Sequence, residues 1–540
     1  MSEPGARTAN EVARAAVMIA VVTAAARVAG FARLYVFART IGPSCLGDTY
    51  FTANTVPNIV FDLVVGGALT SLVVPVLARP ADDGDRSVVD RTCSALFTWT
   101  AAILIPISIV GLVCARLFIR LLVGGGHAGC STADQISTGT RMLVIFMPQI
   151  LLYGAAVILI GILQAHRRFL GPALGPLVSS LLVIATYVVF GIVAAPSEND
   201  LTTLTRDHEL VLAVGTTVGV AGLLLPMLVP AARLHLRLRP TFRFPPGVAA
   251  TVAAMAISGA FVLGSSDIAT AVTLRLGNSR GVDGTVVLYT LAWAVFTVPW
   301  AVAAVPLATT AFPGLTASWQ RGERVQYSAT IARTTRVMLV VSAASAAILV
   351  AVAGPVARVL VLGAPGDVPP TYLARALVTF APGLVGYALV ALCSRALYAQ
   401  GNARTPAVAI VVGWTVTIVG EILLTAGVPS TWTVAAFGIA TSVGMTLSGG
   451  WLLIAVRRSA GSATLRGVAC AAGAAVLAAA GSCALASLVA AAVPTAGVGG
   501  DLAVILLVSL VAVSIYTAIL AGVDRSTLRL VLARGRLRRA

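Results

Sequence analysis

The chain has 540 residues, 58% of them hydrophobic and only 11% charged, with a mean hydropathy of +0.96 and a formal net charge of +17. So large an apolar fraction excludes a soluble globular protein and makes a lipid bilayer the expected solvent. All 37 basic residues are arginine, and the absence of lysine excludes a P-loop and Schiff-base chemistry.

In chain order, apolar runs long enough to span a bilayer are predicted at 15–40, 54–78, 94–120, 137–164, 172–194, 209–231, 247–274, 284–314, 329–361, 372–399, 405–426, 433–456, 464–492 and 500–523. The fold class expected is therefore an all-α polytopic membrane protein with about fourteen transmembrane helices. The first run follows Arg7 and Arg14 and begins like a signal peptide, but it continues through Phe37 and reads as a retained helix.

Arginines cluster in alternate connections: Arg79/Arg86/Arg91, Arg167/Arg168, Arg233 to Arg243, Arg321/Arg324, Arg404, Arg457/Arg458/Arg466 and Arg525 to Arg539. The positive-inside rule puts those loops and both termini in the cytoplasm. A basic balance of this kind marks topology and gives no reason to expect nucleic acid. The segment from Arg233 to Arg239 alternates charge with leucine before Pro240; it reads as a topology anchor, with binding of anionic lipid headgroups at the interface as the other reading. Asp82, Asp83 and Asp85 read as a solvated loop. Cysteine spacing offers no metal site; Cys45 and Cys130 fall in loops placed outside, where a disulfide is possible.

Charge inside the spans marks candidate sites, because an ionised group in hydrocarbon needs a partner or a water-filled cavity. Arg27 and Arg33 share the first span, six residues and roughly 9 Å apart along a helix, with Gly30 between them as a possible bend. A planar guanidinium suits pyrophosphate; pairing with Asp48 or Asp62 is the alternative reading. Asn58 follows Pro57 and offers a polar group at a helix break. Asp267, with Ser265 and Ser266 beside it, and Glu421 are candidates for coupling transport to Na+ or H+. No constellation for covalent catalysis is evident, so the chain is not read as an enzyme.

Two segments echo each other. Leu163 to Ala173 matches Leu397 to Ala407, offset by 234 positions, and Ser71 to Leu77 resembles Thr309 to Leu315, offset by 238. Both offsets correspond to six spans, which predicts two parallel six-helix repeats: 1–240 and 241–460, with 461–540 carrying two added helices and a basic tail.

Ala26-Arg27, Gly30-Phe31 and Arg33, then Asp48, Phe51, Pro57-Asn58, Gly67-Ala68 and Pro75, together with Gly161 to Pro172 and Arg395 to Pro406, resemble the signatures of the MurJ (MviN) family within the multidrug/oligosaccharidyl-lipid/polysaccharide exporters. The resemblance implies fourteen helices in two lobes around a cavity, in a multi-pass protein of the bacterial cytoplasmic membrane. The implied activity is flipping of lipid II, an undecaprenyl-pyrophosphate-linked peptidoglycan precursor, among membrane lipids and cell-wall synthesis proteins. Arg27, Arg33 and Asn58 are then the substrate-binding residues expected here. The chain departs from the family pattern at Phe61, Asp62 and Ala292, where many members carry cavity arginines. Those departures keep two other readings open: an exporter of another polyprenyl-linked glycan or a cation-coupled drug exporter, and a scaffold for cell-wall assembly that no longer transports.

Overall fold

A computed structural model describes residues 4–63, 77, 80, 83, 85–125, 129–194, 200–244, 248–493 and 497–536, with the side chains of 4–16, 248–260 and 532–536 excluded. Every regular element among them is helical. Among the described residues, eleven helices are long and apolar enough to cross a membrane, or twelve when Pro370–Phe380 and Gly383–Ala399, bent by 41°, count as one span. The expected count of fourteen is thus approximate: the second and seventh predicted spans run through residues 64–76 and 245–260, which the description does not fully cover.

Several predicted spans are broken where sequence chemistry breaks them. The fourth divides into Thr132–Phe146 (α5) and Gln149–Ala165 (α6), with Pro148 capping the second piece. The eighth divides into Thr285–Pro299 (α11) and Val305–Gln320 (α12), joined by a π-helical turn over Trp300–Ala304 directly after Pro299. The tenth bends between α14 (Pro370–Phe380) and α15 (Gly383–Ala399), where Pro382 stands. In the first span, by contrast, α1 (Pro4–Thr40) runs without interruption through Gly30.

The helix predicted from residue 54 begins at Cys45 (α2, Cys45–Phe61), nine residues earlier than hydropathy suggests. Ser44 caps it, accepting from Gly47 N at 3.1 Å. Asp48, Thr49 and Thr52 lower the hydropathy of these two turns, yet all three are buried, and the Thr49 hydroxyl donates to the Cys45 carbonyl at 2.7 Å. Hydroxyls that bond back one turn hide their polarity from the surroundings, so hydropathy overstates their cost.

Contacts divide the chain into two units: 1–267 with 364–366, and 268–363 with 367–540. In unit 1, α1 packs on α7 (Leu170–Val193), α7 on α8 (Arg206–Ala221), α2 on α5 and α6, and α3 (Arg86–Val113) on α6. Its centre is aromatic: Phe37 lies 5.4 Å from Tyr50 and 5.2 Å from Tyr187, and Tyr50 lies 5.7 Å from Phe146, ring centre to ring centre. The α7–α8 crossing is close because Gly219 has no Cβ to strike Val183.

In unit 2 the 38-residue α13 (Arg324–Val361) is the spine on which α18 (Val468–Ala492) and α19 (Gly497–Val523) pack. Tyr516 donates to the Val340 carbonyl at 2.8 Å, and Arg358 pairs with Asp501 at 2.7 Å. α16 (Arg404–Gly427) and α15 both pack on α17 (Thr433–Ala460). Helix α10 (Val248–Arg280) contains the boundary between the units.

The echoing segments fold alike. Arg168 N reaches back to Leu163 O at 2.7 Å past Arg167 in the left-handed region (φ 58°), and Asn402 N reaches back to Leu397 O at 3.0 Å past Gly401 (φ 79°). These are the same Schellman ending, and Pro172 and Pro406 occupy the third position of the helix that follows each. The other echo, at Pro75, lies outside the described residues.

Candidate functional site

In unit 1, Arg27 is exposed on α1 and Arg33 is half-buried. Neither forms an ion pair among the described residues. The Arg33 charge lies close enough to act on the hydroxyls of Tyr50, Tyr153 and Tyr187. Two of those hydroxyls, of Tyr50 and Tyr187, belong to an ordered chain. Thr216 Oγ1 donates to the Leu212 carbonyl at 2.7 Å, so Tyr50, 2.9 Å away, donates to Thr216, and Tyr187, 2.8 Å from Tyr50, donates to Tyr50. The donors in this chain are thereby assigned, and Arg33 lies within electrostatic reach of it while forming no ion pair among the described residues.

Asn58 turns inward on its own helix, with Nδ2 donating to Asn54 O at 3.0 Å, one turn before Pro57 takes effect. Phe61, one of the positions that depart from the family pattern, packs against Tyr153 at 5.5 Å. Asp62 is half-buried, and it lies within reach of the charge on Asp267. Asp267 is 9% exposed, and its Oδ2 has no hydrogen-bond partner among the described residues. Beside it, the Ser265 hydroxyl donates to Val262 O at 2.8 Å, and Ser266 is half-buried with a partner of its own. Elsewhere in unit 1, Arg141 holds Glu209 through two guanidinium nitrogens, joining α5 to α8.

Unit 2 contains Glu421, which is 1% exposed on α16. Its oxygens lie 2.9 and 3.1 Å from Thr273 Oγ1 on α10. Tyr289 on α11 lies beside both Thr273 and Glu421. Arg280 binds the Ile422 carbonyl at 3.1 Å and the Thr425 hydroxyl at 3.3 Å, one turn further along α16. Ala292 is fully buried in the helix that carries Tyr289, next in sequence to Trp293, whose ring lies 5.6 Å from that of Phe296. Asp267 thus belongs to unit 1 and Glu421 to unit 2. Sequence reasoning missed Tyr50, Tyr153, Tyr187, Thr216 and Thr273; the available signal was hydroxyls inside apolar spans, each needing a partner.

Long apolar helices, unpaired charge and buried carboxylates define a multi-pass membrane transporter, and solved structures agree on the fold. A structure described as lipid II flippase MurJ in an inward closed conformation superposes with a TM-score of 0.73 at 17% identity, covering 94% of this chain and 99% of that one. An inward-facing multidrug resistance MATE family transporter of the MOP superfamily superposes at 0.66 and 14% identity, covering 84% and 99%. The chain belongs to the lipid II flippase MurJ family, whose model matches residues 37–508. The lipid II flippase MurJ of Burkholderia cenocepacia is 27% identical over 398 residues, 73% of this chain and 74% of that protein. A probable lipid II flippase MurJ of Synechocystis is 28% identical over 251 residues, 45% of this chain and 44% of that one.

Proposed function

We propose that the protein moves lipid II, or a closely related undecaprenyl-pyrophosphate-linked precursor, across the bacterial cytoplasmic membrane by alternating access. Both termini face the cytoplasm in this reading, as the arginine-rich loops require. The observation that carries it is Arg33: a permanent charge, half-buried in an apolar unit, within electrostatic reach of three tyrosine hydroxyls and in no ion pair among the described residues. A guanidinium so placed supplies forked donors to a pyrophosphate while the tail stays in lipid. Arg27 lies two turns earlier on the same helix and serves as a second contact; Asn58 acts by shaping α2. Glu421 and Asp267 take up Na+ or H+, because an isolated carboxylate in a membrane interior is stable only with a cation or a proton.

Complementation of a flippase-depleted bacterium tests this reading, with outer-leaflet exposure of lipid II as readout. Wild-type protein restores growth and exposure, and Arg33→Gln expressed at the same level loses both. Rescue of growth by Arg33→Gln with no lipid II exposed in either strain would move the assignment to a scaffold. Phe61, Asp62 and Ala292 favour a second reading, in which the cargo is another polyprenyl-linked glycan. Competition between such lipids and lipid II in reconstituted vesicles separates the two.

A further inference from the structure

Residues 235–243 form an extended strap laid along α3. Arg237 N donates to Asp90 Oδ1 at 3.2 Å, Arg239 N to Ser94 Oγ at 3.0 Å, and Thr241 N to Thr98 Oγ1 at 3.1 Å. Every second strap residue therefore meets every fourth helix residue. The match is physical: two residues of extended chain advance about 6.6 Å and four of helix about 6.0 Å. Trp99 fastens the far end, its indole N–H donating to Phe242 O at 3.0 Å. Because the strap is held by its backbone donors, its arginine side chains remain available.

Those side chains, Arg237, Arg239 and Arg243, join Arg91 around a cleft of about 580 Å³. One carboxylate, Asp90, lines the same cleft and already accepts from the strap backbone. None of the four arginines forms an ion pair among the described residues. Outside the cleft lining, on the strap and α3, Leu238, Phe242 and Trp99 are 49%, 58% and 41% exposed, with Trp99 and Phe242 edge to face at 5.2 Å. Forked cations beside exposed aromatic and aliphatic groups suit a ligand with an anionic head and an apolar body at the membrane surface.

We propose that this cleft binds the phosphate of an acidic membrane phospholipid, with its acyl region against Trp99, Leu238 and Phe242. This site is separate from the Arg33 region and does not depend on the transported cargo. The strap leads into α10, so the bound lipid sits where the chain leaves the first six spans.

The test uses full-length protein in detergent micelles, with lipid retention read by native mass spectrometry. Wild-type protein retains phosphatidylglycerol and not phosphatidylcholine at equal concentration. The variant R237Q/R239Q/R243Q retains phosphatidylglycerol about a hundredfold less well, the product of roughly fivefold per arginine at an anionic surface. Arg120→Gln, in a different arginine-lined cleft of about 800 Å³, leaves retention unchanged. A second variant, D90N/S94A/T98V, keeps all four arginines and loosens the strap; it also weakens retention. The proposal is overturned if both variants retain the lipid as wild type does, or if phosphatidylcholine is held equally. Complete displacement by millimolar inorganic phosphate would equally overturn it, by showing a site for the free anion.

Discussion

Thr273 on α10 and Glu421 on α16 meet through a single hydroxyl, whose Oγ1 lies 2.9 and 3.1 Å from the carboxylate oxygens and 2.9 Å from the Ala269 carbonyl. One proton cannot serve both acceptors. When Glu421 is ionised, Thr273 must turn to it and release Ala269; when Glu421 carries a proton, it can donate to Thr273 instead. The pair thus has two hydrogen-bond arrangements distinguished by one charge. Glu421→Gln keeps the volume and the hydrogen bond but fixes the charge. Expected is a folded protein whose flipping in proteoliposomes falls at least about tenfold and no longer responds to Na+ or pH. Unaltered cation dependence in that variant would remove Glu421 from coupling.

Arg33→Lys keeps the charge and loses the planar fork. Precursor binding should weaken about tenfold, while Arg33→Gln abolishes it. Tyr187→Phe takes the first donor from the hydroxyl chain but leaves Tyr50 bonded to Thr216. Its cost is confined to about 1 kcal/mol of stability. Equal binding by the lysine and wild-type proteins would mean that the charge alone matters.

Glu209 is 3% exposed at its side chain and held at both oxygens by Arg141. Removing Arg141 strands a buried carboxylate, so Arg141→Ala should cost about 3 kcal/mol; Glu209→Ala should cost less, because the Arg141 side chain is 36% exposed, and the double variant should cost much less than the sum. Thermal unfolding of the four proteins gives the coupling; strict additivity would show the pair to be idle.

Cys45 and Cys130 are joined by a disulfide with a Cα–Cα distance of 5.8 Å, closing a sequence separation of 85 residues. Thiol alkylation should therefore find the five other cysteines free. Reduction, or Cys45→Ala with Cys130→Ala, should cost about 2–4 kcal/mol, chiefly by enlarging the unfolded ensemble. Seven reactive thiols in oxidised protein would refute the pairing.

Asp524 follows the last span and caps α20 (Arg525–Arg536). Burial works against its ionisation, but bonds from the Thr527 and Ser526 hydroxyls and the Thr527 N–H outweigh it and hold the carboxyl below its ordinary range. A depressed folded-state pKa stabilises above the unfolded value near 3.9 and is lost as pH falls through the folded value. The C-terminal helix should accordingly resist proteolysis at pH 7 and fray below about pH 4. Asp524→Ala should cost about 1 kcal/mol at neutral pH. A variant as protected as wild type at pH 7 would dismiss the cap.

Class and family were legible because apolar length and arginine spacing are one-dimensional signals. So was the echo at Leu163 and Leu397, since a Schellman ending depends on local residues. The beginning of α2 was not, because the burial of Asp48 and Thr52 depends on distant helices. Arg33 stood out by its charge, but its surroundings did not: Tyr50, Tyr187 and Thr216 come from three helices, the first two 137 positions apart. The pairing of Thr273 with Glu421, 148 residues apart, was hidden for the same reason.

The strap at 235–243 also sets what evolution can change there. Pro240, which has no N–H to give, falls between two donors, where none is needed. Deleting one residue upstream would shift the phase, presenting Leu238, Pro240 and Phe242 to α3 in place of their neighbours. A proline would then stand where a donor is required, and the arginines would swing to the opposite face. Changes of length in this connection should therefore be tolerated in steps of two and rejected in steps of one.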